Sequence, residues 1–166
     1  MDLNDKFLDS VKNRGRILII NLEKPIYGKN NIFGVSPVFE GGVHYNSNYS
    51  TSLFTKEEIT NFDYILYLCE INSLETYLCA MHELGHTFSS KIYFLNKRKL
   101  TFYNHCRKNN IISNLILKEE SNAWKYTKKL ITNWGQEHQE IYLHLFRDGY
   151  LKYSRREINP FYYLNY

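Results

Sequence analysis

The sequence predicts a single α+β domain, in which a small sheet from the N-terminal half packs on a metal-binding helix and a later helix completes the site. Three observations carry this expectation. His82-Glu83-Leu84-Gly85-His86 stands inside a proline-free run from Ser73 to Ser90. Short β-branched or apolar runs punctuated by Gly, Pro and Asn precede it. A long amphipathic pattern from about Asn114 to Trp134 follows it and carries a glutamate in its apolar face.

Length and composition bound the rest. At 166 residues and 43% apolar, the chain is expected to form one domain over 1–166 with a real core. Its parts are a strand-rich stretch 1–54, metal-binding helices at about 73–90 and 114–134, and a C-terminal helix with an aromatic tail over 136–166. The apolar runs Ile17 to Ile20 and Tyr64 to Leu68 are too short to span a bilayer. The opening Met-Asp-Leu-Asn-Asp-Lys lacks a signal-peptide core, so a cytoplasmic protein with no membrane partner is expected. Cys69, Cys79 and Cys106 have no paired spacing and one is left over, which points to reduced thiols rather than a disulfide framework or a cysteine zinc knuckle.

In chain order, residues 1–13 read as a short amphipathic helix with Phe7, Leu8 and Val11 inward. Arg16 to Asn21 is a β-branched run typical of a buried strand. Glu23 to Gly34, with Pro25, Gly28 and paired asparagines, reads as a loop. Val35 to Phe39 and Gly42 to Tyr45 are strands of a hairpin turned at Gly41-Gly42, with His44 a structural rather than a ligating histidine. Thr55-Lys-Glu-Glu58 is a capping box that starts a helix. Tyr64 to Ile71 fits either the end of that helix or a strand, because a continuous apolar run has no diagnostic period.

The next segment carries the chemistry. Asn72 or Ser73 can cap it, and Glu75 stands three residues after Asn72 as in a capping box. On a helix, residues four apart share a face, so His82 and His86 can point at one metal ion with Glu83 beside them. Two histidines on zinc and a glutamate as general base on water make a hydrolytic centre. Leu78 and Cys79 lie one turn before the two histidines, so these continue an apolar stripe. Gly85 is a poor helix former whose missing side chain lets another backbone or a substrate strand approach.

A third ligand can be sought on the later helix. At about 100° per residue, Leu117, Ala123, Trp124, Thr127, Ile131 and Trp134 all fall within about 60° of Glu120. Glu120 therefore sits mid-face, where a carboxylate needs either a metal or a buried Arg or Lys. Glu119 lies about 100° round, at the boundary of the face. Glu119, His105 and His138 remain the other candidates for the third ligand. Between the two helices, Lys91 to Asn110 is basic and aromatic without a clear period, a hairpin or a lid.

His82-Glu-Leu-Gly-His86 followed by Glu120-Ser-Asn-Ala-Trp-Lys-Tyr126 resembles the ImmA/IrrE-type metallopeptidases, which are common in phages and mobile elements. The resemblance covers roughly Leu74 to Leu130. It implies a zincin-like, gluzincin-type domain with Zn2+ on His82, His86 and Glu120, and Glu83 as the catalytic base. It also implies a zinc metallopeptidase, a hydrolase making limited cuts in a regulatory protein such as a helix-turn-helix repressor. Tyr103, His105 and His138 are the candidates for stabilising the oxyanion.

Charge offers a second class of reading. Residues 1–90 hold 7 basic against 11 acidic residues, and residues 91–166 hold 14 against 6. The basic half includes Lys97-Arg98-Lys99, Arg107-Lys108, Lys128-Lys129 and Arg155-Arg156, interleaved with aromatic residues. A zinc-stabilised toxin-antitoxin or nucleic-acid- or partner-binding module without peptidase activity would use this half, and its DNA binding would weaken steeply with salt. The tail Phe161-Tyr-Tyr-Leu-Asn-Tyr166 is expected to dock on the body. If it instead occupied the cleft, truncation after Pro160 would raise activity, and an unchanged rate would dispose of autoinhibition.

Overall fold

Five consecutive apolar residues, Tyr64 to Leu68, organise the sheet. Every one of them is buried, which is why no alternation marks the segment in the sequence. The computed structural model describes residues 2–21, 34–39, 42–43, 56–68, 70–89 and 114–148. Within them run α1 (Leu3–Arg14), β1 (Ile17–Asn21), β2 (Gly34–Phe39), β3 (Gly42–Val43), α2 (Lys56–Thr60) and β4 (Tyr64–Leu68). These are followed by α3 (Leu74–Ser89), α4 (Asn114–Leu130) and α5 (Gln136–Tyr142), which continues as a π-helical stretch over Leu143–Asp148. The architecture is mixed helix and sheet, as the α+β expectation has it.

The four strands are ordered β1-β4-β2-β3. β1 runs parallel to β4, from Ile17 opposite Tyr64 to Asn21 opposite Leu68. β2 runs antiparallel on the other side of β4, from Gly34 opposite Tyr67 to Pro37 opposite Tyr64. β3 closes a hairpin on β2, pairing Gly42 with Phe39 and Val43 with Val38. The ambiguity over Tyr64 to Ile71 is resolved over Tyr64–Leu68 as a strand, which takes an interior place in the sheet.

Two cores follow from the alternation of side chains across β4. Leu66 and Leu68 join Phe7 and Val11 of α1, Leu78, Met81 and Leu84 of α3, and Trp124 of α4. Ile65 and Tyr67 face the other way, with Leu18 and Ile20 of β1 and Ile59 of α2. Each large side chain buried this way contributes at most about 1.5–3 kcal/mol. α1 is capped by Asp2, whose side chain accepts from the Asp5 N–H at 2.7 Å, and it stops at Gly15, which has φ +70°. Arg14 then ties α1 to the last turn of α3, donating to the Thr87 carbonyl at 2.9 Å and lying over the Phe88 and Tyr64 rings.

Three details differ from the sequence reading. Ser73, one of the two caps the sequence offers, caps α3, but the residue that answers it in the box is Thr76 rather than Glu75. Ser73 Oγ accepts from the Thr76 N–H at 3.2 Å while Thr76 Oγ1 accepts from the Ser73 N–H at 3.0 Å. The shift by one residue leaves Glu75 exposed and puts Thr76 in the protein interior. α4 ends at Leu130, four residues short of Trp134, and Gly135 caps the next helix. That helix, expected from Glu137 to Tyr150, is described only to Asp148 and changes to π-helical geometry after Tyr142. His44, the stretch Lys91 to Asn110, and the aromatic tail lie outside the described residues.

The central packing event is between α3 and α4. A Cβ built on Gly85 would collide with the Ala123 carbonyl oxygen and come within 2.8 Å of the Thr127 hydroxyl. Thr127 Oγ1 lies 3.2 Å from the Met81 carbonyl and 2.9 Å from its own helix at Ala123, so its hydroxyl sits in the crossing. Gly85→Ala should therefore push the helices apart and lower stability by about 2–3 kcal/mol. Chemical denaturation of the two proteins measures this, and equal stability would mean the crossing yields without strain.

Candidate metal centre

α3 and α4 bring four ionisable side chains into one dry place. His82 is 8% exposed, His86 5%, Glu120 3% and Glu119 1%. Burying such groups singly is costly, so they must face one another or an ion. The structure brings together His82, His86 and Glu120, the three residues the spacing selects, as a buried group compatible with a metal ion. His82 Nε2 lies 2.9 Å from Glu120 Oε2 and 3.2 Å from His86 Nε2. His86 Nε2 lies 3.4 Å from the same Glu120 oxygen.

These three separations describe a triangle of donor atoms. Ligands around a tetrahedral ion, bound at about 2.0–2.1 Å, stand about 3.3–3.4 Å apart. The triangle matches that edge length to within about half an ångström. Hydrogen bonding alone fits less well. If His82 Nε2–H donates to Glu120, the same nitrogen has no lone pair left for His86, yet the two Nε2 atoms face each other. A cation at the shared corner removes that conflict.

Electrostatics agree. Burial disfavours the imidazolium of His86, but the Glu120 charge and hydrogen bonds to Glu119 and Glu120 outweigh it, holding His86 well above the usual histidine range. Burial likewise pushes Glu120 up, and the His86 charge with hydrogen bonds from both imidazoles overrides it, holding the carboxyl well below the usual range. The site thus keeps a proton on His86 where a metal would otherwise sit. With His86 neutral, the Glu120 carboxylate would lose its imidazolium partner, and a cation at the shared corner would take that place.

The remaining candidates fall into place. Glu83 follows His82 on α3, is partly exposed, and lies near enough for its charge to favour the His86 imidazolium. Glu119 is not at the boundary of the helix face, as the wheel suggests, but fully buried, with Oε1 3.2 Å from His86 Nδ1. The signal was present: Leu130 and Tyr126 fall about 80° and 120° round on the Glu119 side, so the apolar arc extends that way. His138 accepts from the Gly135 N–H at 3.3 Å and packs on Trp134, so it caps α5 and is not among the converging donors. His105 and Tyr103 lie outside the described residues.

Sequence reasoning missed how His82 is held. Its ring lies on Trp124, centroids 4.6 Å apart and tilted by 32°, which fixes the ring plane although Nδ1 has no hydrogen-bond partner among the described residues. Cys79, one turn earlier, is buried, and burial together with the Glu75 and Glu83 charges pushes its thiol far up, so it offers no thiolate. Among the described residues no helix is long and apolar enough to cross a membrane. Comparison with protein-family models, curated proteins and solved structures finds no match to this chain.

The proton on His86 gives a signed expectation. Binding an ion must release it, so lowering the pH weakens binding. The apparent association constant for Zn2+ should rise about tenfold per pH unit while the metal-free protein keeps His86 protonated. Competition titrations with a chelating indicator from about pH 6 to 8 measure the slope. A flat profile would mean that no proton occupies the site.

Proposed function

We propose that the chain is a zinc-dependent endopeptidase of the gluzincin kind. The observation that carries the proposal is the buried triangle of His82, His86 and Glu120, with the partly exposed Glu83 following His82 on α3 and close enough for its charge to act on His86. Structural zinc sites use four protein ligands, whereas catalytic ones use three and keep a position open. Three converging donors beside a partly exposed glutamate fit the second pattern among the described residues.

His82, His86 and Glu120 would hold the ion, and both helices fix them from behind. When bound, the ion supplies Lewis acidity, which makes a water nucleophilic near neutral pH and polarises a carbonyl. Glu83 takes one proton from the attacking water as the new C–O bond forms at the scissile carbonyl carbon. It passes that proton to the amide nitrogen as the C–N bond breaks, leaving a carboxylic acid and an amine, and the acid's remaining proton then moves to the amine to give a carboxylate and an ammonium. Both imidazoles are buried between α3 and α4, which limits bulk water's competition for their lone pairs.

The resemblance of the two motifs to ImmA/IrrE-type metallopeptidases supports limited cleavage of a regulatory protein, with a helix-turn-helix repressor of a phage or mobile element as the expected substrate class. The absence of any apolar membrane-crossing helix among the described residues agrees with a substrate met in solution.

Zinc content and peptide cleavage, measured on the same preparations, test the proposal. Wild type should carry about one zinc per chain and generate new termini in a proteome-derived peptide library read by mass spectrometry. Glu120→Ala should lose the zinc. Glu83→Gln should keep it and lose cleavage by a factor of at least about 10². A wild type that takes up no zinc under loading conditions, or a Glu83→Gln protein that cleaves normally, would sink the peptidase reading.

A further inference from the structure

Glu119 is buried beside a ligand rather than at the shared corner, and its place has a chemical consequence. His86 presents two nitrogens to two different carboxylates. Its Nε2 points into the triangle, 3.2 Å from His82 Nε2 and 3.4 Å from Glu120 Oε2. Its Nδ1, on the other side of the ring, lies 3.2 Å from Glu119 Oε1. A carboxylate oxygen is an acceptor only, so this contact is attractive when Nδ1 carries the hydrogen and repulsive when it carries a bare lone pair. With the hydrogen held on Nδ1, the neutral ring has its lone pair on Nε2, aimed at the position an ion would take.

We infer that Glu119 is a positioning residue that fixes the tautomer and ring angle of His86, making this histidine the preorganised ligand of the centre. The inference deepens the metal reading given above and rests on it. The two histidines are thereby held by different means. Among the described residues His82 is held by stacking on Trp124 with no hydrogen-bond partner at Nδ1, whereas the Nδ1 of His86 meets the Glu119 carboxyl. Carboxylate–histidine pairs behind a metal raise the basicity of the imidazole as well as orienting it. The adjacent placement of Glu119 and Glu120 on one helix lets a single element supply both the ligand and the support of a second ligand. Glu119 being 1% exposed keeps water from competing for Nδ1.

The test uses the full chain, Zn2+ as the probe, and two variants that separate charge and hydrogen bonding from space filling. Glu119→Ala should weaken Zn2+ affinity by about 10–100-fold, read by chelator competition. Glu119→Gln keeps a carbonyl acceptor of the same shape and should recover part of that loss. Imidazole nitrogen NMR of the zinc-loaded wild type should show His86 protonated at Nδ1 and bound through Nε2. The same Nδ1–H signal should survive in Glu119→Gln and be lost or exchange rapidly in Glu119→Ala, which simple packing would not explain. Unchanged affinity in Glu119→Ala, or a wild type with the opposite His86 tautomer, would overturn the inference while leaving the metal centre standing. If Glu119→Ala does not fold, the wild-type tautomer decides. A wild type that binds no Zn2+ would instead remove the metal reading, and this inference with it.

Discussion

The approach of α3 to α4 at Gly85 is the constraint on which the rest of the molecule depends. A helix pair with an ordinary side chain at that point would stand farther apart, and Glu120 would no longer reach the two imidazoles. Gly85 lies between the histidines it serves, so the residue that weakens the helix is also the one that lets the site close. The hydroxyl of Thr127, set against the Met81 carbonyl, fills the space that the missing side chain leaves. Backbone contact, polar satisfaction and ligand convergence are therefore settled together at one crossing.

Around that crossing the fold supplies rigidity from several directions. β4 is buried on both faces and leads into α3 through a short capped turn, so the start of the helix is anchored by the sheet. Arg14 holds the other end by binding the Thr87 carbonyl one residue after His86. Four ionisable groups in the interior are tolerable because each lies within hydrogen-bond distance of another, and because the elements that present them have little freedom to separate.

Much of this was legible, and for identifiable reasons. The α+β class, the helix around His82 and His86, and the apolar setting of Glu120 all follow from residue spacing, which reports helical faces directly. The strand nature of Tyr64 to Leu68 was not legible, because burial on both faces erases the period that distinguishes strand from helix. Ser73 is one of the two caps the sequence offers, and its partner in the box is Thr76 instead of Glu75 because a threonine hydroxyl can answer a serine as well as a glutamate can. Glu119 was misplaced for a different reason. A helical wheel ranks positions about one axis, whereas α4 meets α3 on a broad arc that includes Leu130 and Tyr126. The stacking of His82 on Trp124 depends on where two helices cross, which no single-helix pattern contains.

The separation of the donors along the chain has a consequence for the unfolded state. Thirty-three residues lie between His86 and Glu120, so an ion held by both closes a loop of that size. In the chain-entropy account of cross-links, such a closure restricts the denatured ensemble by about 3–4 kcal/mol of free energy, before any strain is counted. An ion at this corner would act as a clasp on everything between the two helices, including the basic and aromatic stretch from Lys91 to Asn110. The same two helices that shape the site would then decide how much of the intervening chain is free to wander when the protein opens.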